Sequence, residues 1–139
     1  MTESTLRAIV PLPFADAAEA VRESLADAGF GVLTEIDLSA TLEQKTGVTL
    51  PPQLILGACR PPLALQALRA DPAVATMLPC NVVVAEEGPS RTRVETLDPT
   101  VMAEISPALA PVAREARDRL TGMMDILRHR TEESDATAG

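Results

Sequence analysis

The chain has 139 residues, a formal net charge of −8, and an apolar fraction of 46% in which Phe14 and Phe30 are the only aromatic residues. This length predicts one domain over residues 1–130 with an aliphatic core, followed by a disordered acidic tail over 131–139. Scattered basic residues and scarce aromatic rings exclude nucleic acid as a partner. The apolar stretches are too short for a signal peptide or a membrane span, so we expect a cytoplasmic protein with no membrane partner.

The first part of the chain predicts a strand, a helix and a second strand. Apolar and polar residues alternate imperfectly over residues 6–12, which indicates a strand with one buried face. Over 14–28 the apolar residues recur at three- and four-residue steps, which is typical of an amphipathic helix. Alternation returns over 30–37 and predicts a strand that carries Glu35 and Asp37 on the same face.

Turn residues divide the middle of the chain into three further elements. Ser39 is a suitable N-cap for a short helix over 39–46, which Gly47 would end in a left-handed conformation. An apolar run over 53–59 predicts a buried strand. The prolines that begin at Pro61 fit the first turn of another helix.

The second half predicts a hairpin followed by a long helix. A helical piece begins at Pro72, and the β-branched run over 80–86 is typical of a central strand. Residues 91–97 alternate in polarity and are expected to pair antiparallel with it. Apolar residues at alternating four- and three-residue spacing then predict a long helix that becomes continuous near Pro107.

The sequence offers no complete set of catalytic residues. Its single histidine, His129, lies between two arginines with no serine or cysteine nucleophile nearby, so we interpret it as a surface residue. Neither a phosphate-binding glycine loop nor a dinucleotide-binding glycine motif occurs. An enzymatic role stays open, but the balance is against one.

Cys59 and Cys80 each lie where an apolar strand meets a proline-containing turn, and such junctions often face a cleft. In a reducing compartment two thiols pack, bind a metal or react. Two thiolates alone leave a zinc site short of ligands, so a metal would need help from Glu35, Asp37 or a partner chain. The competing interpretation is that both cysteines are small buried core residues.

Two further alternatives concern reactivity. A reactive thiol requires an electropositive neighbour, and Arg60 or Lys45 are the candidates. Glu35 and Asp37 would form an acid–base pair if the strand face that they share were enclosed. The alternative is that this face is simply the solvated side of the strand.

Three motifs in order carry a family resemblance: G-F-G-V-L-T-E-I-D over 29–37, L-G-A-C-R-P over 56–61, and L-P-C-N-V-V-V over 78–84. They resemble the family of domains of unknown function numbered 302 (DUF302), over about residues 6–105, with the last helix and tail largely outside. The resemblance implies a TATA-binding-protein-like α+β fold of the β-α-β(4)-α type, with an antiparallel sheet covered on one face by helices. It also implies a homodimer, and no established activity.

The resemblance further implies a candidate ligand pocket formed where the strand ends meet. Arg60 stands where the family usually has asparagine, so a fixed cation replaces a neutral amide beside Cys59. The candidate pocket residues are Glu35, Asp37, Cys59, Arg60, Pro61, Pro79, Cys80 and Asn81.

Three functions compete on this basis. The favoured hypothesis is a non-enzymatic homodimeric module that binds a small ligand or a soft metal ion in a cleft near the two cysteines, which are themselves weak metal-ligand candidates. The second is an enzyme of thiol or sulfur chemistry that uses Cys59 or Cys80 as nucleophile. The third is a structural or regulatory protein that binds partners through the aliphatic face of its last helix.

Overall fold

The computed structural model describes residues 4–131, which form five strands and four α-helices. The strands are β1 (Thr5–Val10), β2 (Gly31–Asp37), β3 (Gln53–Cys59), β4 (Cys80–Gly88) and β5 (Arg91–Leu97). The helices are α1 (Phe14–Asp27), α2 (Leu38–Thr46), α3 (Pro61–Ala70) and α4 (Ala110–Arg128). Short 3₁₀ helices lie at Pro72–Met77, Pro99–Glu104 and Pro107–Leu109.

All five strands form one antiparallel sheet in the order β1-β5-β4-β3-β2. Alternate residues of the central strands are buried beneath α1 and α4, and they belong to the main hydrophobic core. These strand residues include Leu54, Leu56, Val82, Val84 and Val94. The predicted α+β fold, with an antiparallel sheet covered on one face by helices and a long C-terminal helix, is confirmed.

Helix α4 packs its whole apolar stripe inside the molecule. Leu120 and Leu127 are fully buried against the sheet and α1, and the stripe continues toward α3. The buried residues of α4 are Val112, Ala113, Ala116, Leu120, Met123, Met124 and Leu127. The hypothesis that this face binds partner proteins is therefore wrong, because the face is part of the protein's own core.

The segment after α1 is exposed to solvent, in contrast to the buried face of α4. No residue from 31 to 52, all of them within the described chain, is buried. The N-cap of α2 is Asp37, whose carboxylate accepts a hydrogen bond from the Ala40 backbone N–H at 2.9 Å. The predicted cap at Ser39 is wrong: its hydroxyl instead donates to Asp37 at 2.9 Å. The predicted left-handed end at Gly47 is confirmed, with φ of 77°.

Several boundaries differ from the predictions. The first strand ends at Val10 rather than near residue 12, and the piece that begins at Pro72 is a 3₁₀ helix. The long helix becomes regular at Ala110, after two 3₁₀ turns. Most of the predicted tail, residues 132–139, lies outside the described residues. Between residues 4 and 131, no helix is both long and apolar enough to cross a bilayer.

Candidate functional site

The strand register gathers the candidate residues of β3 and β4 at one end of the sheet. β3 ends at Cys59 and β4 begins at Cys80, which lies directly opposite Ala58. The two cysteines therefore occupy neighbouring backbone positions on adjacent strands. β5 finishes at this same end of the sheet, because Thr96 pairs with Val82.

A groove of about 550 Å³ begins at this end and runs over the sheet. Its floor comes from β4 and β5, one wall from the segment around the cis peptide bond Leu78–Pro79, and another from the 3₁₀ helix Pro99–Glu104. Apolar lining residues include Met77, Leu78, Val83, Leu97 and Met102, and polar ones include Gln53, Asn81, Arg93 and Glu95. The groove is therefore amphipathic.

The charged residues of the groove are paired with each other. The Arg93 guanidinium lies 3.4 Å from the Glu95 carboxylate and 3.4 Å from that of Glu87. Glu95 also accepts a hydrogen bond of 2.6 Å from the Thr5 hydroxyl. Nε of Arg93 is buried without a hydrogen-bond partner of good geometry. Glu95 and Arg93 line the groove with opposite unit charges, so the lining is electrically balanced.

A second, much smaller cavity lies under α3 and α4, next to the cysteines. This crevice has a volume of about 20 Å³ and an almost entirely apolar lining. Cys59, Cys80 and Met102 all line it, and Cys80 and Met102 also line the groove. The site thus has two compartments that share a boundary.

Both cysteine thiols have raised pKa values. Burial raises the pKa of Cys59, and burial, together with the nearby Cys59 thiol, raises the pKa of Cys80. Both thiols are therefore protonated at neutral pH. A nucleophilic cysteine needs the opposite shift, since the thiolate is the reactive form.

Arg60 is held by a network that connects three elements. Its guanidinium donates to the Gly29 carbonyl at 3.4 Å and lies 3.8 Å from the Glu115 carboxylate of α4. Arg119 donates to the neighbouring Ala28 carbonyl at 3.0 Å. These cations satisfy carbonyls at the C-terminal end of α1, where they also interact favourably with the helix dipole. Gly29 has φ of +91°, and a Cβ there would lie 2.2 Å from Arg60 Nη1.

Close packing also explains why the L-G-A-C motif has a glycine. A Cβ at Gly57 would lie 2.1 Å from the Thr34 hydroxyl and 2.8 Å from Cγ of Pro79. Gly57 therefore allows the edge strand and the Pro79 segment to approach the same point of β3. This close approach places one wall of the groove.

Glu35 and Asp37 do not join the cysteines. They share one face of β2, as predicted, but neither lines the groove or the crevice. Glu35 is paired with Arg22 of α1 at 2.6 Å, and Asp37 caps α2. The hydrogen bonds from Ala40 and Ser39 lower the pKa of Asp37. Asp37 lies at the far end of β2, roughly 20 Å from its start at about 3.3 Å per residue.

The remaining candidates divide between the site and the surface. Asn81 and Pro79 line the groove, whereas Pro61 is an exposed residue in the first turn of α3 and lines neither compartment. His129 is exposed at the end of α4, with Nδ1 2.9 Å from the Asp125 carbonyl oxygen.

Sequence reasoning does not single out four further residues that line the groove. Arg93 and Glu95 were recognised only as part of an alternating strand, although charges on a strand between two neighbours are a usable signal. Met77 and Met102 had no signal at all in the local sequence. They reach the site because two 3₁₀ helices fold against the end of the sheet.

Comparisons with known proteins agree with this architecture. The sequence model of the family "Domain of unknown function DUF302" matches residues 7–127, so the family includes most of α4 as well as the three motifs. The crystal structure of an uncharacterized conserved DUF302 protein from Bacillus stearothermophilus is similar, with a TM-score of 0.83 and 29% sequence identity. The match covers 91% of this chain and 99% of that chain. No curated protein matches. The chain belongs to the DUF302 family.

Proposed function

We propose that this protein is a non-enzymatic binding module that holds a small, uncharged or zwitterionic amphipathic molecule in the groove beside Cys80. The single observation that carries the proposal is the groove itself, whose volume of about 550 Å³ lies within the range typical of small-molecule sites. Its apolar walls would contact the body of the ligand. Its polar floor would orient it.

The charge of the lining narrows the ligand class. Arg93 and Glu95 neutralise each other across 3.4 Å, so a ligand with a net charge would have to compete with an existing ion pair. Asn81 and Gln53 provide amide groups that both donate and accept hydrogen bonds. These features favour a molecule with hydrogen-bonding groups and no net charge.

The thiol-enzyme alternative has less support. Arg60 is engaged with Gly29 and Glu115, and burial keeps the pKa of both thiols high. We expect both cysteines in the folded protein to react with iodoacetamide at pH 7 more slowly than in the urea-unfolded chain. Faster alkylation of either cysteine in the folded state would revive the enzyme hypothesis. We also propose that the binding module is located in the cytoplasm, where its thiols stay reduced.

Fragment screening by ¹⁵N–¹H correlation spectra tests the groove directly. Uncharged amphipathic fragments should shift the backbone amides of Leu78 and Asn81, which line the groove. Val83→Phe places a larger ring on the groove floor and should weaken these fragments at least tenfold. Ile126→Phe is the matched control, because Ile126 is an exposed α4 residue outside the groove.

Two results would contradict the groove proposal. If the fragments shift amides elsewhere in the molecule, or bind Val83→Phe as well as the wild type, the groove is not the binding site. Far-ultraviolet circular dichroism of both variants verifies that the fold is retained.

We also propose that a second copy of the chain covers the surface formed by β2. β2 is an edge strand, all of its residues are exposed, and it contains neither lysine nor proline, which commonly protect free edges. Its carboxylates at Glu35 and Asp37 already have partners within the chain. Two copies of the strand would therefore approach each other with little charge repulsion.

Light scattering coupled to size-exclusion chromatography tests this interface. Leu33 is 64% exposed on β2, and Leu33→Arg should convert a dimer to a folded monomer. Ile126 is 60% exposed on α4, so Ile126→Arg is the matched control and should leave the mass unchanged. A wild-type monomer, or a dimer that survives Leu33→Arg, would contradict this interface.

A further inference from the structure

Three sulfur-containing side chains from distant parts of the chain line the small crevice. Cys59 ends β3, Cys80 begins β4, and Met102 lies in the 3₁₀ helix Pro99–Glu104. Met102 is 4% exposed, so its thioether belongs to the interior. The rest of the lining is almost entirely apolar. The crevice therefore brings three residues with soft donor atoms to one largely apolar place.

The size of the crevice limits its occupant to a single atom or ion. Its volume is about 20 Å³, and a cavity needs roughly 10–15 Å³ of such volume for one water molecule. A buried water also needs several hydrogen-bonding partners, which an apolar lining supplies poorly. The sulfur donors make a metal ion the better match.

The donor set selects the type of metal. Among residues 4–131 no group of three or more His, Cys, Asp or Glu side chains is placed to hold a metal, so the donors of a usual zinc or calcium site are missing. Thiolate and thioether ligands favour Cu(I). We propose that Cys59, Cys80 and Met102 bind one Cu(I) ion within a single chain.

The charge balance involves Arg60. Binding replaces two thiol protons by one Cu⁺, so two protons are released and the neutral site acquires a charge of −1. Arg60 lines the same crevice, but its guanidinium is already bound to Gly29 and Glu115, so it offsets the added negative charge only through space. No oxidant or reductant is consumed, because copper remains Cu(I).

This inference concerns the crevice and does not depend on a ligand in the groove. The two compartments share Leu78, Cys80 and Met102, but Val83 lines only the groove and Cys59 only the crevice. Variants at Val83 and Cys59 therefore separate the two proposals. Copper binding without fragment binding would overturn the groove proposal alone, and the reverse result would overturn the copper proposal alone.

The test is an anaerobic Cu(I) titration of the reduced full chain in competition with the chromophoric chelator bicinchoninate. We expect one Cu(I) per chain, and Cys59→Ser and Cys80→Ser should each lower the affinity at least about 100-fold, because loss of a ligand should cost no less than the roughly 10–100-fold seen for outer-shell changes. Met102→Leu, which nearly conserves volume, should lower it about tenfold. Met77→Leu is the matched control, because Met77 lines only the groove, and it should leave the affinity unchanged.

X-ray absorption of the copper-loaded protein gives an independent readout. Two or three sulfur neighbours, with no nitrogen or oxygen ligand, are expected. The proposal is overturned if either cysteine variant retains full affinity, if one Cu(I) bridges two chains, or if nitrogen or oxygen ligands dominate. Circular dichroism of each variant separates loss of the site from loss of the fold.

Discussion

Two regions of the molecule have similar sequence patterns but differ in how far the structure encloses them. One is the end of β3 and β4 that carries the cysteines, and the other is the acidic strand β2. Both regions place chemically useful side chains next to alternating aliphatic residues. Cys80 lies on a strand with a neighbour on each side and lines both compartments of the site. Glu35 lies on an edge strand, exposed and paired with Arg22.

The difference shows that alternation specifies a strand but not its position in the sheet. A central strand receives helices on one face and loops at its ends, so its side chains become part of enclosed spaces. An edge strand with the same pattern remains solvated unless another chain covers it. The enclosure of a side chain therefore follows strand order here more than local composition.

Truncating a core side chain should give the largest contrast between the two regions. Leu56 on β3 is fully buried, so Leu56→Ala should lower the free energy of unfolding by about 2–5 kcal/mol. Ile36 on β2 is 47% exposed within one chain, and in the monomeric Leu33→Arg background Ile36→Ala should change it by no more than about 0.5 kcal/mol. Urea denaturation measures both. Equal losses in that background would show that β2 is as enclosed as β3 within a single chain.

Adding a methyl group at the contact between the regions should have the next largest effect. Gly57→Ala introduces a Cβ that overlaps the Thr34 hydroxyl and the Pro79 ring, so stability should fall by about 1–3 kcal/mol. Gly122→Ala is the control, because nothing lies within 4 Å of its Cβ position on α4. That variant should be stabilised by up to about 1 kcal/mol. A neutral Gly57→Ala would mean that β2 moves away easily.

Acid should remove the stability that helix-capping carboxylates contribute in both regions. The loss should be larger at Asp98, which caps the 3₁₀ helix Pro99–Glu104, than at Asp37. Partial burial is the largest influence on the pKa of Asp98 and raises it, but hydrogen bonds from Thr100 and Arg117 together bring the pKa below its ordinary value. Asp37 is also lowered, by Ala40 and Ser39. The stability from each carboxylate is present above about pH 4 and is lost as pH falls through its folded pKa.

The matched variants are Asp98→Asn and Asp37→Asn, followed by thermal denaturation between pH 6 and pH 2.5. Asp98→Asn should remove more of the acid-induced loss, because it also removes the 3.0 Å ion pair with Arg117. A larger effect of Asp37→Asn would indicate that the edge region is less solvated than its exposure implies.

The smallest effect is expected from Glu35→Gln. The Glu35–Arg22 pair is exposed on both sides, at 47% and 37%, and such pairs contribute at most about 1 kcal/mol. The same variant should leave fragment binding and Cu(I) affinity unchanged, since Glu35 lines neither compartment. A change in either binding constant would place the acidic strand in the functional site after all.

The elements of the fold were largely predictable. The strand over 53–59 and its later counterpart over 91–97 have the predicted bounds, because short apolar or alternating runs between prolines and turn residues leave few alternatives. The sequence predicts the N-cap of α2 at Ser39, two residues after the observed N-cap at Asp37. Both side chains can cap a helix, and only the backbone geometry chooses between them.

The candidate site was predictable only in part. Cys80 and Asn81 were identified from their position at the start of a strand and do line the groove. The sequence offers Arg60 as one of two candidates for an activating cation, but the structure places it at the C-terminal end of α1, beside Gly29. Its partners Ala28 and Glu115 are far away in the sequence, so no local pattern connects them.

The sequence by itself determined the class of fold, because hydrophobic periodicity and turn chemistry act over a few residues at a time. It also determined that Cys59 and Cys80 end and begin strands. Only the tertiary structure decided that β2 is an edge, that Met102 joins the two cysteines, and that Arg93 and Glu95 form the groove floor. These facts depend on strand order and on contacts between distant segments, which the whole set of packing interactions selects at once.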